Sequence, residues 1–221
     1  VPSFFTYSFV KTKLFIYLCN MNMQDTSNIR MSENIIIADA DYIDYVAFQL
    51  SVQFERMLGR AIPPADLSQW AVNIALDGGL KPDSKEHETQ VVLVHDERKR
   101  RLDNFRPQEY ATALNAQAFR DEQLGEFLIN AYAVGSMVTK DDYITEAIKT
   151  ICEHDEVKRL MIVPNGEQGD TYEAVRHVLR DAPDEKRITV FAMQPMAGGN
   201  FRQEILGYSL MNALGIRSEE L

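Results

Sequence analysis

Three carboxylates, Asp39, Asp41 and Asp44, follow directly on the apolar run Asn34-Ile35-Ile36-Ile37-Ala38. Carboxylates clustered at one point can hold a hard cation such as Mg²⁺ or Mn²⁺ through oxygen ligands, leaving metal-bound water to attack a phosphodiester. More acids recur where strand or loop meets helix: Asp141 and Asp142 beside Lys140, and Asp170 after a second apolar run, Arg159–Val163. Lys140 is placed to steady a phosphate or a developing negative charge. The same acids have a plainer use. Asp41 with Asp44, Thr139 with Asp142, and Asp170 with Glu173 each fit a helix N-cap followed by an acid three residues on. Acids in a first turn also complement the helix dipole. Asp39 precedes the expected cap at Asp41 and has no capping duty of its own on this reading, so it is the strongest single candidate for chemistry.

The elements that must carry these residues alternate. Ile35–Ala38 reads as a buried strand. A helix follows over Tyr42–Leu58, with Ile43, Val46, Ala47, Leu50, Phe54, Met57 and Leu58 on one stripe and Gly59 as its stop. A second helix after Pro63-Pro64 uses Leu67, Trp70, Ala71, Ile74 and Ala75 and ends at Gly78-Gly79. Lys81–Gln90 reads as a loop and Val91–Val94 as a strand leading to His95-Asp96-Glu97. Asn115–Arg120 is expected to pair with Glu126–Val134 as a β-hairpin through the turn Asp121–Gly125; a helix over Gln108–Ala118 is the competing reading. Asp142–Cys152 reads as a helix, Arg159–Val163 as a strand, Thr171–Arg180 as a helix, Arg187–Ala192 as a strand and Phe201–Leu214 as a last helix. This pattern predicts a single three-layer, Rossmann-like α/β domain over residues 31–221. Its sheet is mostly parallel, and its acids lie along the carboxyl edge where ligands of open α/β sheets bind. No Gly-x-Gly-x-x-Gly follows the first strand and no Walker lysine is present, so no nucleotide cofactor is expected.

Composition narrows the classes. The net charge is −10. Residues 1–30 carry +2, from Lys11, Lys13 and Arg30 against Asp25, which leaves −12 on the remainder. Such a charge opposes a broad nucleic-acid-coating surface, although metal-dependent nuclease sites are themselves acidic. Cys19 and Cys152 form neither a metal pattern nor a disulfide framework, and the compartment reads as cytoplasmic. Residues 1–30 hold two apolar runs split by Lys11 and Lys13, each too short to span a membrane. The segment reads as a non-native or disordered extension from an upstream start, with Met31 (or Met21 or Met23) the first residue.

Asp39 after the first strand, Lys140-Asp141-Asp142 opening a central helix, and Leu160–Val163 followed by Gly169-Asp170-Thr171-Tyr172 resemble the layout of the PIN-like nucleases, the NYN branch above all. That resemblance implies a metal-dependent ribonuclease acting on single-stranded RNA. Asp39 and Asp142 would hold Mg²⁺ or Mn²⁺ with Asp41, Asp141 and Asp170 in support, and Lys140 would steady charge. The family's Gly-Asp-x-Asp-Phe follows its fourth strand directly. Here Pro164–Gln168 intervenes and Thr171-Tyr172 replaces the second acid and the Phe, which removes one expected ligand. The chain is also similar to small uncharacterised bacterial proteins that open on the same Ala38–Tyr42 pattern, a likeness that implies no function. The alternative is a non-catalytic α/β binding or oligomeric assembly module that has kept the fold and lost the metal site.

Other candidates are weaker. Ala197–Arg202 and Gly166–Gly169 each suit an anion at a helix start, or a plain cap and turn. Arg98-Lys99-Arg100-Arg101, with Phe105 and Arg106 as a stacking surface, suits RNA, or solvated arginines paired with nearby acids. Of the four histidines, His95 is the one expected at the rim; His154 and His177 are expected on helical surfaces. Cys152 is expected in the core.

Overall fold

A computed structural model describes residues 31–82 and 86–220. The expectations for residues 1–30 lie outside the described residues. Seven strands form one sheet in the order β5-β6-β3-β1-β7-β8-β9: β1 (Asn34–Asp39), β3 (Glu88–Asp96), β5 (Gln117–Asp121), β6 (Gly125–Val134), β7 (Arg159–Val163), β8 (Arg187–Ala192) and β9 (Arg202–Ile205). All neighbours are parallel except β5, which pairs antiparallel with β6. Two short strands, β2 (Ala65–Asp66) and β4 (Phe105–Arg106), make a separate parallel ribbon. The helices are α1 (Ala40–Leu58), α2 (Leu67–Asp77), α3 (Lys140–Cys152), α4 (Thr171–Val178) and α5 (Leu206–Ala213).

The sheet is covered on both faces because its strands alternate two apolar sets. Ile36, Ala38, Val91, Leu93, Met161 and Val163 pack with α1, α2 and α5. Ile35, Ile37, Val92, Val94, Leu160 and Ile162 pack with α3 and α4. β1 lies between β3 and β7, with Ile35, Ile36 and Ile37 at 1 % exposure or less. Each such side chain contributes about 1.5–3 kcal/mol. Together they outweigh the several kcal/mol that burying one carboxylate costs, so the apolar run sets the register and carries Asp39 into the interior of the rim. The strand order also turns at β1. β3 and β6 lie to one side and β7, β8 and β9 to the other, and the carboxyl end of β1 is therefore the switch point at which ligands of such sheets bind.

Most elements fall where the periodicity puts them. Gly59 ends α1 in the left-handed region at φ 65°, donating its N–H to the Glu55 carbonyl. The hairpin forms in place of the helix over 108–118, where only a π-helical turn, Tyr110–Leu114, occurs. Three expectations are corrected. Residues 202–205 form edge strand β9 rather than the start of the last helix, because this polar stretch pairs in register with Thr189–Ala192. β3 begins at Glu88, inside the expected loop, since its first residues extend alongside β1 and β6. Met57 is 58 % exposed, off the face of α1 on which Leu50, Phe54 and Leu58 pack against the core.

Candidate active site at the carboxyl edge of the sheet

Asp39 ends β1 and α1 begins at Ala40, with no loop between them. The cap therefore falls two residues earlier than expected. Asp39, not Asp41, is the N-cap, its Oδ1 accepting the Tyr42 N–H at 3.0 Å. Asp39 does have a capping duty, and Asp41 and Asp44 do not form a capping box. Asp44 instead accepts the Asn104 N–H at 2.8 Å and anchors the chain before β4. Asp41 accepts the Asp96 N–H at 2.9 Å, which ties the first turn of α1 to the end of β3.

The first residue of α3 completes the arrangement. Lys140 Nζ donates to Asp39 Oδ1 at 2.6 Å and to Asp41 Oδ2 at 2.7 Å. Asp39 is fully buried, whereas Lys140 and Asp41 retain about a fifth of their side-chain exposure. Burial raises the Asp39 carboxyl above its ordinary range, and the Lys140 ammonium pulls the other way. For Lys140 burial acts downward, but the two carboxylates outweigh it and hold the ammonium above its ordinary value. An ammonium in contact with two acids stays charged through the neutral range. One atom of the cluster is unsatisfied: Asp39 Oδ2 is buried and accepts no hydrogen bond.

His95 and Tyr110 flank this cluster. His95 Nδ1 lies 2.9 Å from the Asp96 carbonyl. A carbonyl only accepts, so Nδ1 carries the proton and Nε2 is the open acceptor of the neutral ring. Burial lowers the His95 pKa and keeps it in that form. The imidazole stacks on Tyr110, with ring centres 3.7 Å apart and planes 4° from parallel. The Tyr110 hydroxyl is buried with no hydrogen-bond partner, and burial, then the charges of Asp41, Asp44 and Asp39, raise its pKa. The sequence pointed to His95 but not to Tyr110, which sits in the π-helical turn, a feature with no periodic signature.

Two of the remaining expected ligands, Asp141 and Asp142, are engaged elsewhere. Thr139 caps α3 as expected, accepting the Asp142 N–H at 3.1 Å while its hydroxyl donates to Asp142 Oδ2 at 2.7 Å. Asp141 accepts the Thr171 hydroxyl at 2.7 Å, linking α3 to α4. Asp170 precedes α4 exposed and makes no side-chain cap, and Glu173 pairs with Arg176 instead of closing a capping box. Among the described residues no three His, Cys, Asp or Glu side chains stand together as a metal site. Asp39 and Asp41 offer a cation one orphaned oxygen and one shared carboxylate, with Lys140 already between them. That donor set does not fit a three-carboxylate centre.

The lesser candidates resolve in turn. Arg98 pairs with Asp96 at 2.6 Å and Arg101 with Asp103 at 2.7 Å, so half of the basic run is matched to adjacent acids. Phe105 is no stacking surface; it is fully buried, edge-on to Trp70 at 6.2 Å. Residues 198–199 precede a strand, so no helix N-terminus opens there. His177 is exposed on α4, whereas His154 lies beyond the end of α3, 3.1 Å from Glu156. Cys152 is buried as expected, and burial pushes its thiol up to about 11.

The fold and the rim together define an α/β protein with a mostly parallel seven-stranded sheet flanked by helices and an acid–lysine–acid cluster at its switch point. The chain belongs to a family of unknown function, DUF6621, which matches residues 28–221. No curated protein and no solved structure matches it. Among the described residues no helix is long and apolar enough to cross a membrane.

Proposed function

We propose that the protein is a non-catalytic α/β binding module whose rim acids are held by an internal cation. One observation carries this reading: Lys140 Nζ sits within 2.6 and 2.7 Å of Asp39 and Asp41, the place a catalytic cation would need. A divalent ion would have to displace that ammonium or approach it against like-charge repulsion. The use of Asp141 and Asp142 in bonds that fix α3 supports the same view. Cleavage of single-stranded RNA in Mn²⁺ by the native protein and by Asp39→Asn tests it. The expected result is no cleavage by the native protein above that of the variant. Mn²⁺-dependent cleavage that disappears in Asp39→Asn would overturn the proposal.

A second reading, the metal-dependent ribonuclease of PIN/NYN type, is favoured by Asp39 Oδ2. A buried carboxylate oxygen without a donor is an unusual cost for a purely structural residue. On that reading Asp39 and Asp41 would take Mg²⁺ or Mn²⁺, RNA would be the partner, and Lys140 would have to leave its present position first.

A further inference from the structure

The opposite edge of the sheet, where the parallel strands begin, holds a concentration of positive charge in a chain of net charge −10. Register places Asn34 of β1 beside Arg159 of β7, and Arg159 beside Arg187 of β8. Like charges directly opposite across a strand pair are destabilising. Arg159 is also 92 % buried, with only 8 % of its surface exposed. Its Nη1 donates to Asn34 Oδ1 at 2.7 Å and its Nη2 to the Gly79 carbonyl at 3.0 Å, both neutral acceptors. Its Nε is buried with no acceptor.

Among the described residues no carboxylate pairs with Arg159, Arg187 or Lys81. Glu33, an acid that lines the same cleft, is engaged by His87 Nδ1 at 2.7 Å. These side chains and Lys158 line a cleft of about 270 Å³. A neighbouring lobe of about 510 Å³ shares Gly79, Lys81 and Arg187 with it and adds Lys186, Arg202 and Phe201. A buried guanidinium with no carboxylate in contact, set beside a second guanidinium and facing a cleft, favours an anion. Among the described residues the one acid lining the cleft, Glu33, acts on Arg159 without forming an ion pair with it.

We infer that this cleft binds the phosphoryl group of a small phosphate ester, held by Arg159, Arg187 and Lys81, with the ester's organic part in the lobe beside Phe201. Guanidinium N–H groups match phosphate oxygens in fixed geometry, and a lysine adds a point charge. The chain's negative charge disfavours a polyphosphate partner such as RNA and leaves a single small anion as the better match. This site is remote from the acidic rim and does not depend on the reading given to it.

Thermal unfolding of the full chain in phosphate-free buffer, titrated with inorganic phosphate and separately with adenosine monophosphate to about 10 mM, tests the inference. Native protein is compared with Arg187→Gln and Lys81→Gln. Both side chains are exposed and make no hydrogen bond or ion pair among the described residues, so neither substitution breaks a bond of the fold. The expected result is a saturable rise in Tm for native protein, at lower concentration with the monophosphate than with phosphate. In Arg187→Gln the half-saturation point should move up by about tenfold or more, while the ligand-free Tm stays the same or rises because a like-charge pair is gone. Four outcomes would overturn it: no rise with either ligand, an equal rise in native protein and both variants, a rise matched by chloride at equal ionic strength, or a fall in the ligand-free Tm of Arg187→Gln. Tighter retention of an RNA oligonucleotide than of the monophosphate, lost in Arg187→Gln, would overturn the small-ligand assignment.

Discussion

Replacing Lys140 with methionine keeps most of the side-chain bulk and removes the one cation between Asp39 and Asp41. Asp39 is left buried with neither of its oxygens facing a charge of opposite sign, which pushes its carboxyl further above the ordinary range. Breaking a buried ion pair by deleting one partner costs about 3–5 kcal/mol. The Lys140 and Asp41 side chains are 22 % and 21 % exposed, which lets water screen part of the loss. The lower end, about 3 kcal/mol, is therefore expected. For a domain of this size that corresponds to a fall in Tm of about 6–12 °C. Denaturant unfolding reads the free energy and a thermal scan reads the shift. Adding Asp39→Asn to Lys140→Met should recover part of the loss, because an asparagine still caps α1 through its Oδ1 while removing the unpaired buried acid. A cost below about 1 kcal/mol for Lys140→Met, the range of an exposed pair, would refute the reasoning. So would a double variant no more stable than the single one.

Other consequences follow from the same geometry. Thr139→Ala removes the hydroxyl that both accepts the Asp142 N–H and donates to its carboxylate, and should cost about 1 kcal/mol in denaturant unfolding; no change would mean the cap is not formed in solution. Burial holds the His95 pKa below its ordinary value, so the unfolded chain takes up that proton first. The native protein should lose stability as pH falls through about 6.5, with the loss levelling off only below the folded pKa. His95→Phe keeps a ring over Tyr110 and should flatten that part of the stability curve; parallel curves for the two proteins would contradict it. Gly125→Ala drives a Cβ into the His87 carbonyl oxygen at φ +88°, and should destabilise the hairpin by more than about 2 kcal/mol in the same unfolding assay.

What could be read in the sequence was what periodicity encodes. β7 and β8 were expected at the residues where they occur, since each is a short apolar run with clear borders. The hairpin was legible from Gly125 and the β-rich run after it. β9 was not, because Arg202-Gln203-Glu204 is polar and becomes a strand only by pairing with the edge of β8. At the site, the acids and Lys140 were all picked out, but their duties were exchanged. The direct join of β1 to α1 moved the cap from Asp41 to Asp39, and a local pattern cannot show that a loop has zero length. The bond from Lys140 to acids about a hundred positions earlier depends on how α3 sits over the sheet. The unmatched Arg159 was likewise invisible, because a strand-opening arginine usually reads as solvated until its neighbours across the sheet are known.

Whether Lys140 occupies the cation's place is tested most directly by crystals of the native protein soaked in Mn²⁺ and read for anomalous scattering. No Mn²⁺ peak at Asp39 is expected, with the Lys140 ammonium in contact with both carboxylates. A peak about 2.0–2.6 Å from Asp39 and Asp41 oxygens, the span of hard-cation ligation, with Lys140 turned away, would contradict the account and favour a metal-dependent hydrolase.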